Sequence, residues 1–93
     1  MHTIRLATAE GTIKGTLSID SEKKEIVSLF VGLLFRHQGV ATYLIKEAEL
    51  WAKAHNIKSL FATTLLSNKN TQRLFHKLGY TKLLKYEKQL GEK

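Results

Sequence analysis

The chain predicts an α+β domain, a mixed and mostly antiparallel sheet with two packed helices in the order β-β-β-α-β-α-β. Three observations predict it. Apolar and polar residues alternate from Thr12 to Asp20, the period of a half-buried antiparallel strand. Val40, Ala41, Leu44, Ile45, Ala48, Trp51, Ala52 and His55 recur at helical spacing and share one face. Leu60 to Leu66 is a near-continuous apolar run, the pattern of a central strand covered on both sides.

Ile4 and Leu6 alternate with Thr3, Arg5 and Ala7 as a first strand, and Ala9-Glu10-Gly11 reads as a turn. Ile13, Gly15, Leu17 and Ile19 form one side of the second strand. Asp20-Ser21-Glu22-Lys23-Lys24 is a polar turn, and the third strand runs from Glu25 to Val31. The helix that opens at Val40 carries Lys46, Glu47, Glu49 and Lys53 off its apolar face and stops at Asn56. Ser67 or Asn68 can cap a second helix whose inner face is Thr71, Leu74, Phe75 and Leu78, with Gly79 as its stop. The last strand runs from Tyr80 to near Leu90, with lysines on its open side. Trp51, Phe61 and Tyr43 read as core.

Ninety-three residues without proline, linker or repeat make one domain, residues 1–93. A chain this short buries only about 60–65% of its unfolded surface, so little stability is spare. The absence of cysteine excludes disulfides, thiolate metal sites and a cysteine nucleophile. His2 and His55 lack partners at metal-ligand spacing, so no metal is expected. No apolar run approaches the ~20 residues of a membrane span, and Met1-His2-Thr3-Ile4-Arg5 lacks the build of a signal peptide. The expectation is a cytoplasmic protein with no membrane partner. Fifteen Lys and Arg against eight Asp and Glu give a net charge of +7, which favours an anionic partner. Nucleic acid, an acidic membrane surface and a phosphorylated cofactor all suit that charge. Lys69, Arg73, Lys77, Lys82, Lys85, Lys88 and Lys93 are spaced as a solvated face more than as a binding stripe.

Between the third strand and the first helix lies Arg36-His37-Gln38-Gly39-Val40-Ala41. The first N–H groups of a helix lack internal partners, and the helix dipole favours an anion there. Gly39 and small Ala41 let the backbone approach that anion, and Arg36 adds a fork of donors suited to phosphate oxygens. Taken alone, the hexapeptide reads equally well as an ordinary turn with a surface arginine.

With its surroundings, the loop resembles the pyrophosphate loop of the GNAT superfamily of acyl-CoA-dependent N-acetyltransferases, R/Q-x-x-G-x-G/A. Val31 stands five residues before Arg36, where that family places a valine. Asn68 followed by Phe75-His76-Lys77-Leu78-Gly79-Tyr80 matches its second signature, an asparagine opening a short helix that closes on Y/F-x-x-x-G-F/Y. The resemblance spans about residues 12 to 90. It implies acetyl-CoA as co-substrate, with backbone N–H groups from Gln38 through Gly39 and Val40 to Ala41, with Thr42, on the pyrophosphate. Arg36 and His37 flank it. The pantetheine arm would pair with Leu29, Phe30 and Val31 like an added strand, and the Leu29 N–H would face the developing oxyanion. Asn68 and Phe75 would line the opposite wall.

The resemblance leaves the proton chemistry open. Many family members carry a tyrosine, as thiolate acid, where this chain has Phe75. Leu33 also stands where the family often has proline. Glu25 lies eleven residues before Arg36, as does the glutamate base of the histone acetyltransferase branch. On an uninterrupted strand Glu25 and Leu29 share a face about 13 Å apart, so Glu25 would act through water. It reads as well as a solvated charge beside Lys23 and Lys24. Full-length members carry a strand and two helices before the region matched here. An acceptor side left open would suit a protein or peptide amine, or be completed by a second copy as a homodimer. The leading reading is an N-acetyltransferase acting on an amine by direct attack. A non-catalytic CoA-binding regulatory module is the alternative. A basic nucleic-acid-binding domain is third, because no stacking aromatics or known motif support it.

Overall fold

The computed structural model describes residues 1–62, 69–82 and 86–90. Its strands are β1 (His2–Ala7), β2 (Ile13–Asp20), β3 (Glu25–Val31), β4 (Ser59–Ala62), β5 (Thr81–Lys82) and β6 (Tyr86–Gln89). Its helices are α1 (Val40–Ala54) and α2 (Lys69–Lys77). One sheet holds the strands in the order β1-β2-β3-β4-β6-β5. The pair β3–β4 is parallel, and the other pairs are antiparallel. The parallel pair needs a crossover, and the loop with α1 supplies it.

The first three strands and α1 fall where the alternation and periodicity place them. Asp20 closes the β2–β3 turn by accepting the N–H bonds of Glu22 and Lys23 at 3.0 and 3.2 Å. Asn56 ends α1 at φ 61°, and the Ile57 N–H returns to the Ala52 carbonyl at 2.9 Å. The chain after α2 departs from expectation. The expected single strand from Tyr80 is two short ones, β5 and β6, paired antiparallel as Thr81↔Glu87 and Lys82↔Tyr86. The apolar run at Leu60 gives β4 only as far as Ala62, with the rest of the run outside the described residues. Within β4, Leu60 and Ala62 are fully buried while Ser59 and Phe61 are half-buried, so burial alternates.

Leu17 and Ile19 of β2, Ile26 of β3 and Leu60 and Ala62 of β4 form the core under Leu44, Ile45, Ala48 and Ala52 of α1. Each fully buried leucine or isoleucine there contributes about 1.5–3 kcal/mol. Phe75 and Tyr80 enter the same core, with their rings edge to face at 4.9 Å. Trp51 is half-buried, stacked between His2 at 4.9 Å and His55 at 4.5 Å. Tyr43 is 44% exposed, contrary to its reading as core. It precedes Leu44 and Ile45 on α1, and those two residues take the sheet-facing positions instead.

A β-bulge decides which residues face α1. Register runs Gly15↔Val31, Leu17↔Leu29 and Ser18↔Ser28, then shifts to Ile19↔Ile26 and Asp20↔Glu25, so Val27 is the residue skipped. Directly paired residues share a face. Ile26, Leu29 and Val31 therefore lie with Gly15, Leu17 and Ile19 beneath α1. Glu25, Ser28 and Phe30 lie with Asp20, Ser18 and Thr16 on the opposite face.

Candidate active site

The loop after β3 is built by short-range constraints. Residues Leu33–Phe35 form a 3-10 turn. The Gln38 amide donates back to the Leu34 carbonyl at 3.3 Å, folding the loop on itself. His37 has φ 64° and Gly39 has φ 80°, so the chain enters α1 through two left-handed residues. Glycine takes that conformation freely, and histidine takes it more readily than most residues. Gly39 is the N-cap of α1, with no side-chain cap and no acidic residue in the first turn. The positive end of the α1 dipole is thus open to an anion from outside.

Gly15 holds this arrangement down. A Cβ there would lie 2.7 Å from the Phe30 carbonyl oxygen, 2.9 Å from Val40 Cγ1 and 3.0 Å from Leu44 Cδ1. The first turn of α1 therefore rests directly on the β2 backbone. The same contact orients β3. The Phe30 carbonyl points at β2, and the Gly32 N–H donates to the Lys14 carbonyl at 2.8 Å. Along a strand the backbone groups of successive residues alternate sides. Leu29 and Val31 therefore turn their N–H and C=O groups away from β2. The Arg36 Nε agrees, donating to the Val31 carbonyl at 3.4 Å.

A cavity of about 770 Å³ opens between this wall and α2. Leu29, Phe30, Val31, Phe35, Arg36, His37, Gly39, Val40, Ala41 and Thr42 line one side. Lys69, Asn70, Thr71, Leu74 and Lys77 of α2 line the other. Among the described residues no carboxylate lines it, while Arg36, Lys69 and Lys77 bring positive charge. The cavity suits a long, anionic ligand with an apolar stretch.

A model of the acetyltransferase (GNAT) family matches residues 2–80. The chain belongs to the GNAT acetyltransferase family. An acetyltransferase from Bacillus cereus superposes with a TM-score of 0.80 at 19% identity, covering 95% of this chain and 71% of that one. A GNAT-family acetyltransferase from Staphylococcus aureus gives 0.79 at 16% identity, covering 96% and 68%. Arylalkylamine N-acetyltransferase 2 from Aedes aegypti gives 0.72 at 18% identity, covering 85% and 56%. Among curated proteins none matches.

In this GNAT acetyltransferase the expected residues of the loop and of the end of β3 meet at one cavity, except Gln38, whose side chain bonds within the loop. Asn68 lies outside the described residues. Phe75 does not line the cavity. It is fully buried against Tyr80, and its neighbour Leu74 faces the space instead. Glu25 is not at the cavity either. The Val27 bulge reverses the expected parity, so Glu25 no longer shares a face with Leu29. Nor is it a solvated charge, being only 6% exposed beside Phe61 of β4.

Sequence reasoning put the opposite wall at Asn68 and Phe75 and missed the α2 residues that line it. Lys69 and Lys77 stood among spaced surface lysines, and only the 70–74–77 helical spacing could have joined Asn70 and Lys77 to Leu74 on one side. It also missed Glu49, which had the look of a solvent residue on the polar side of α1. The Tyr80 hydroxyl donates to Glu49 Oε2 at 2.8 Å, and Lys88 Nζ of β6 reaches the two carboxylate oxygens at 3.3 and 3.2 Å. Burial, the Glu49 charge and the hydrogen bond, in that order, push the Tyr80 phenol far above its ordinary range.

Proposed function

We propose that this chain transfers an acetyl group from acetyl-CoA to an amine by direct attack. The observation that carries the reading is the uncapped start of α1, free of acid and flanked by Arg36, at the floor of a cavity with no carboxylate among its described lining residues. The pyrophosphate is held by the N–H groups from Gln38 to Ala41 together with Thr42, with Arg36 and His37 beside it. The pantetheine arm runs along Leu29, Phe30 and Val31 and bonds to the backbone groups that β3 turns away from β2. The amine nitrogen bonds to the acyl carbon, the carbon–sulfur bond breaks, and the thiolate leaves. The Leu29 N–H stabilises the oxygen that gains charge on the way.

Phe75 can donate no proton to the leaving thiolate, and its ring is sealed in the core. A thiol with a reference pKa near 8.5 leaves tolerably as thiolate at neutral pH. The nearby cations lower the cost of that charge further. A base role for Glu25 runs only through water, because the residue lies on the face opposite α1 and away from the cavity. An amine acceptor is in keeping with the arylalkylamine N-acetyltransferase of similar fold, and a protein or peptide amine is the further class that the acceptor panel tests.

Calorimetric titration with acetyl-CoA tests the reading, with binding expected well below millimolar. Release of free CoA is then followed with a panel of amines and peptides. No binding at submillimolar acetyl-CoA sinks the proposal. Binding without release with any acceptor would instead establish the non-catalytic CoA-binding module. Glu25→Gln with an unchanged pH profile of turnover removes Glu25 as base.

A further inference from the structure

Two walls enclose the cavity, and something must fix their separation. The α1 wall is seated on β2 through Gly15. The α2 wall has one fully buried side chain, Phe75, and its other cavity residues are half-buried or exposed. The chain just beyond α2 is better anchored. The Tyr80 N–H bonds back to the Phe75 carbonyl at 2.9 Å, and the Tyr80 ring meets Phe75 edge-on. The Tyr80 hydroxyl then reaches across to Glu49, more than two turns along α1 from the loop. Lys88 completes the junction, bonded to the same carboxylate and lying 5.6 Å over the Tyr80 ring.

Glu49 is thus where α1, the end of α2 and β6 meet. Its side chain is 12% exposed and that of Lys88 29%, so the ion pair is partly sheltered from water. Removing the carboxylate would leave a buried hydroxyl and a half-buried ammonium without their partner, which costs more than the bonds themselves contribute. Of the two walls, α2 is the one whose movement recovers that free energy more readily, with one fully buried side chain against five in α1.

We infer that Glu49 is a positioning residue for this cavity, a strut that sets the distance of the α2 wall from the pyrophosphate loop through Tyr80. The inference rests on the proposed CoA site for its consequence, but not for the geometry. A ligand that touches both walls feels the strut, and an anion held by the loop alone does not. CoA and inorganic pyrophosphate are the two probes.

The experiment compares wild type with Glu49→Ala, Glu49→Gln and Tyr80→Phe, each checked for a folded far-ultraviolet spectrum. In Glu49→Ala, CoA affinity is expected to fall by about tenfold or more, the scale of one stranded buried polar group. Pyrophosphate affinity is expected to be unchanged. Glu49→Gln, whose amide oxygen still accepts the Tyr80 hydroxyl, is expected to recover much of the loss. Tyr80→Phe keeps the ring packing and loses the bond, so it separates the strut from core collapse. Amide hydrogen exchange is the ligand-free readout. Residues 69–77 should exchange faster in Glu49→Ala and Tyr80→Phe, with β1 and β2 unaffected. Equal weakening of both probes, or unchanged CoA binding and unchanged exchange in folded variants, overturns the inference. Wild type that ignores CoA while its variants show faster α2 exchange overturns the proposed function and upholds the strut.

Discussion

The α1 wall of the cavity is close-packed onto the sheet from its first residue, whereas the α2 wall has one fully buried ring, Phe75, and Leu74 only partly buried against the core. In the first wall, Gly15, Val40 and Leu44 meet at contact distance under the loop, so backbone N–H groups are fixed by the packing beneath them. In the second, Lys69, Asn70 and Lys77 are exposed, and only Phe75 is sealed. Preorganised backbone dipoles suit the phosphates of the proposed CoA ligand, the part that is always the same. A looser side-chain wall suits the part where contacts must form and release.

The comparison breaks most visibly at Phe75. Phe75→Ala should cost about 3–5 kcal/mol, since the ring is fully buried and carries α2. Urea denaturation measures that loss directly. Phe75→Tyr asks a sharper question, because it restores the phenol that many relatives use. With the ring facing Tyr80 rather than the cavity, turnover should not rise, and the trapped hydroxyl should lower the urea midpoint. A gain in turnover would show that α2 can rotate and that its wall is looser still.

Gly15→Ala attacks the other wall. A Cβ 2.7 Å from a backbone oxygen cannot be relieved by a side-chain turn. The expected cost is about 1–3 kcal/mol, with a Tm drop on the order of 10 °C. Acetyl-CoA affinity should fall with it, since the first turn of α1 must lift. If affinity survives, the loop holds its shape without the seat beneath it.

The junction between the walls responds to alkali. Folding raises the Tyr80 phenol far above its ordinary range, so the folded state resists losing that proton. Its stabilisation is fully present below about pH 10, the unfolded tyrosine value, and is lost as pH rises beyond it. The Tm of wild type should therefore decline above that pH more steeply than that of Tyr80→Phe. Parallel declines would mean that the phenol gains nothing from its protonated state. The smallest effect is expected at Lys77→Ala, an exposed charge on the α2 wall, with CoA affinity lowered by no more than about fivefold and less at high salt.

The legible and illegible parts of the sequence divide along the same line. The strands to Val31, the loop and α1 were readable because each rests on local pattern, namely period two, a left-handed glycine and a 3.6-residue face. The Val27 bulge was not, because register belongs to a pair of strands and no single run of residues displays it. That one residue moved Glu25 off the face of Leu29. Glu49 reads as a solvent residue until Tyr80, thirty-one positions later, comes to lie beside it. Likewise the final strand read as continuous, and the β5–β6 pairing that divides it depends on contacts the alternation does not encode.

The stack of Trp51 between His2 and His55 has a practical consequence. The chain has a single tryptophan, and one of the rings against it belongs to the edge strand β1. The emission of Trp51 is therefore an intrinsic optical gauge of whether β1 is seated, changing when His2 leaves the indole. It reads out a part of the molecule remote from the glycine loop, so fraying and ligand binding can be followed separately in one cuvette.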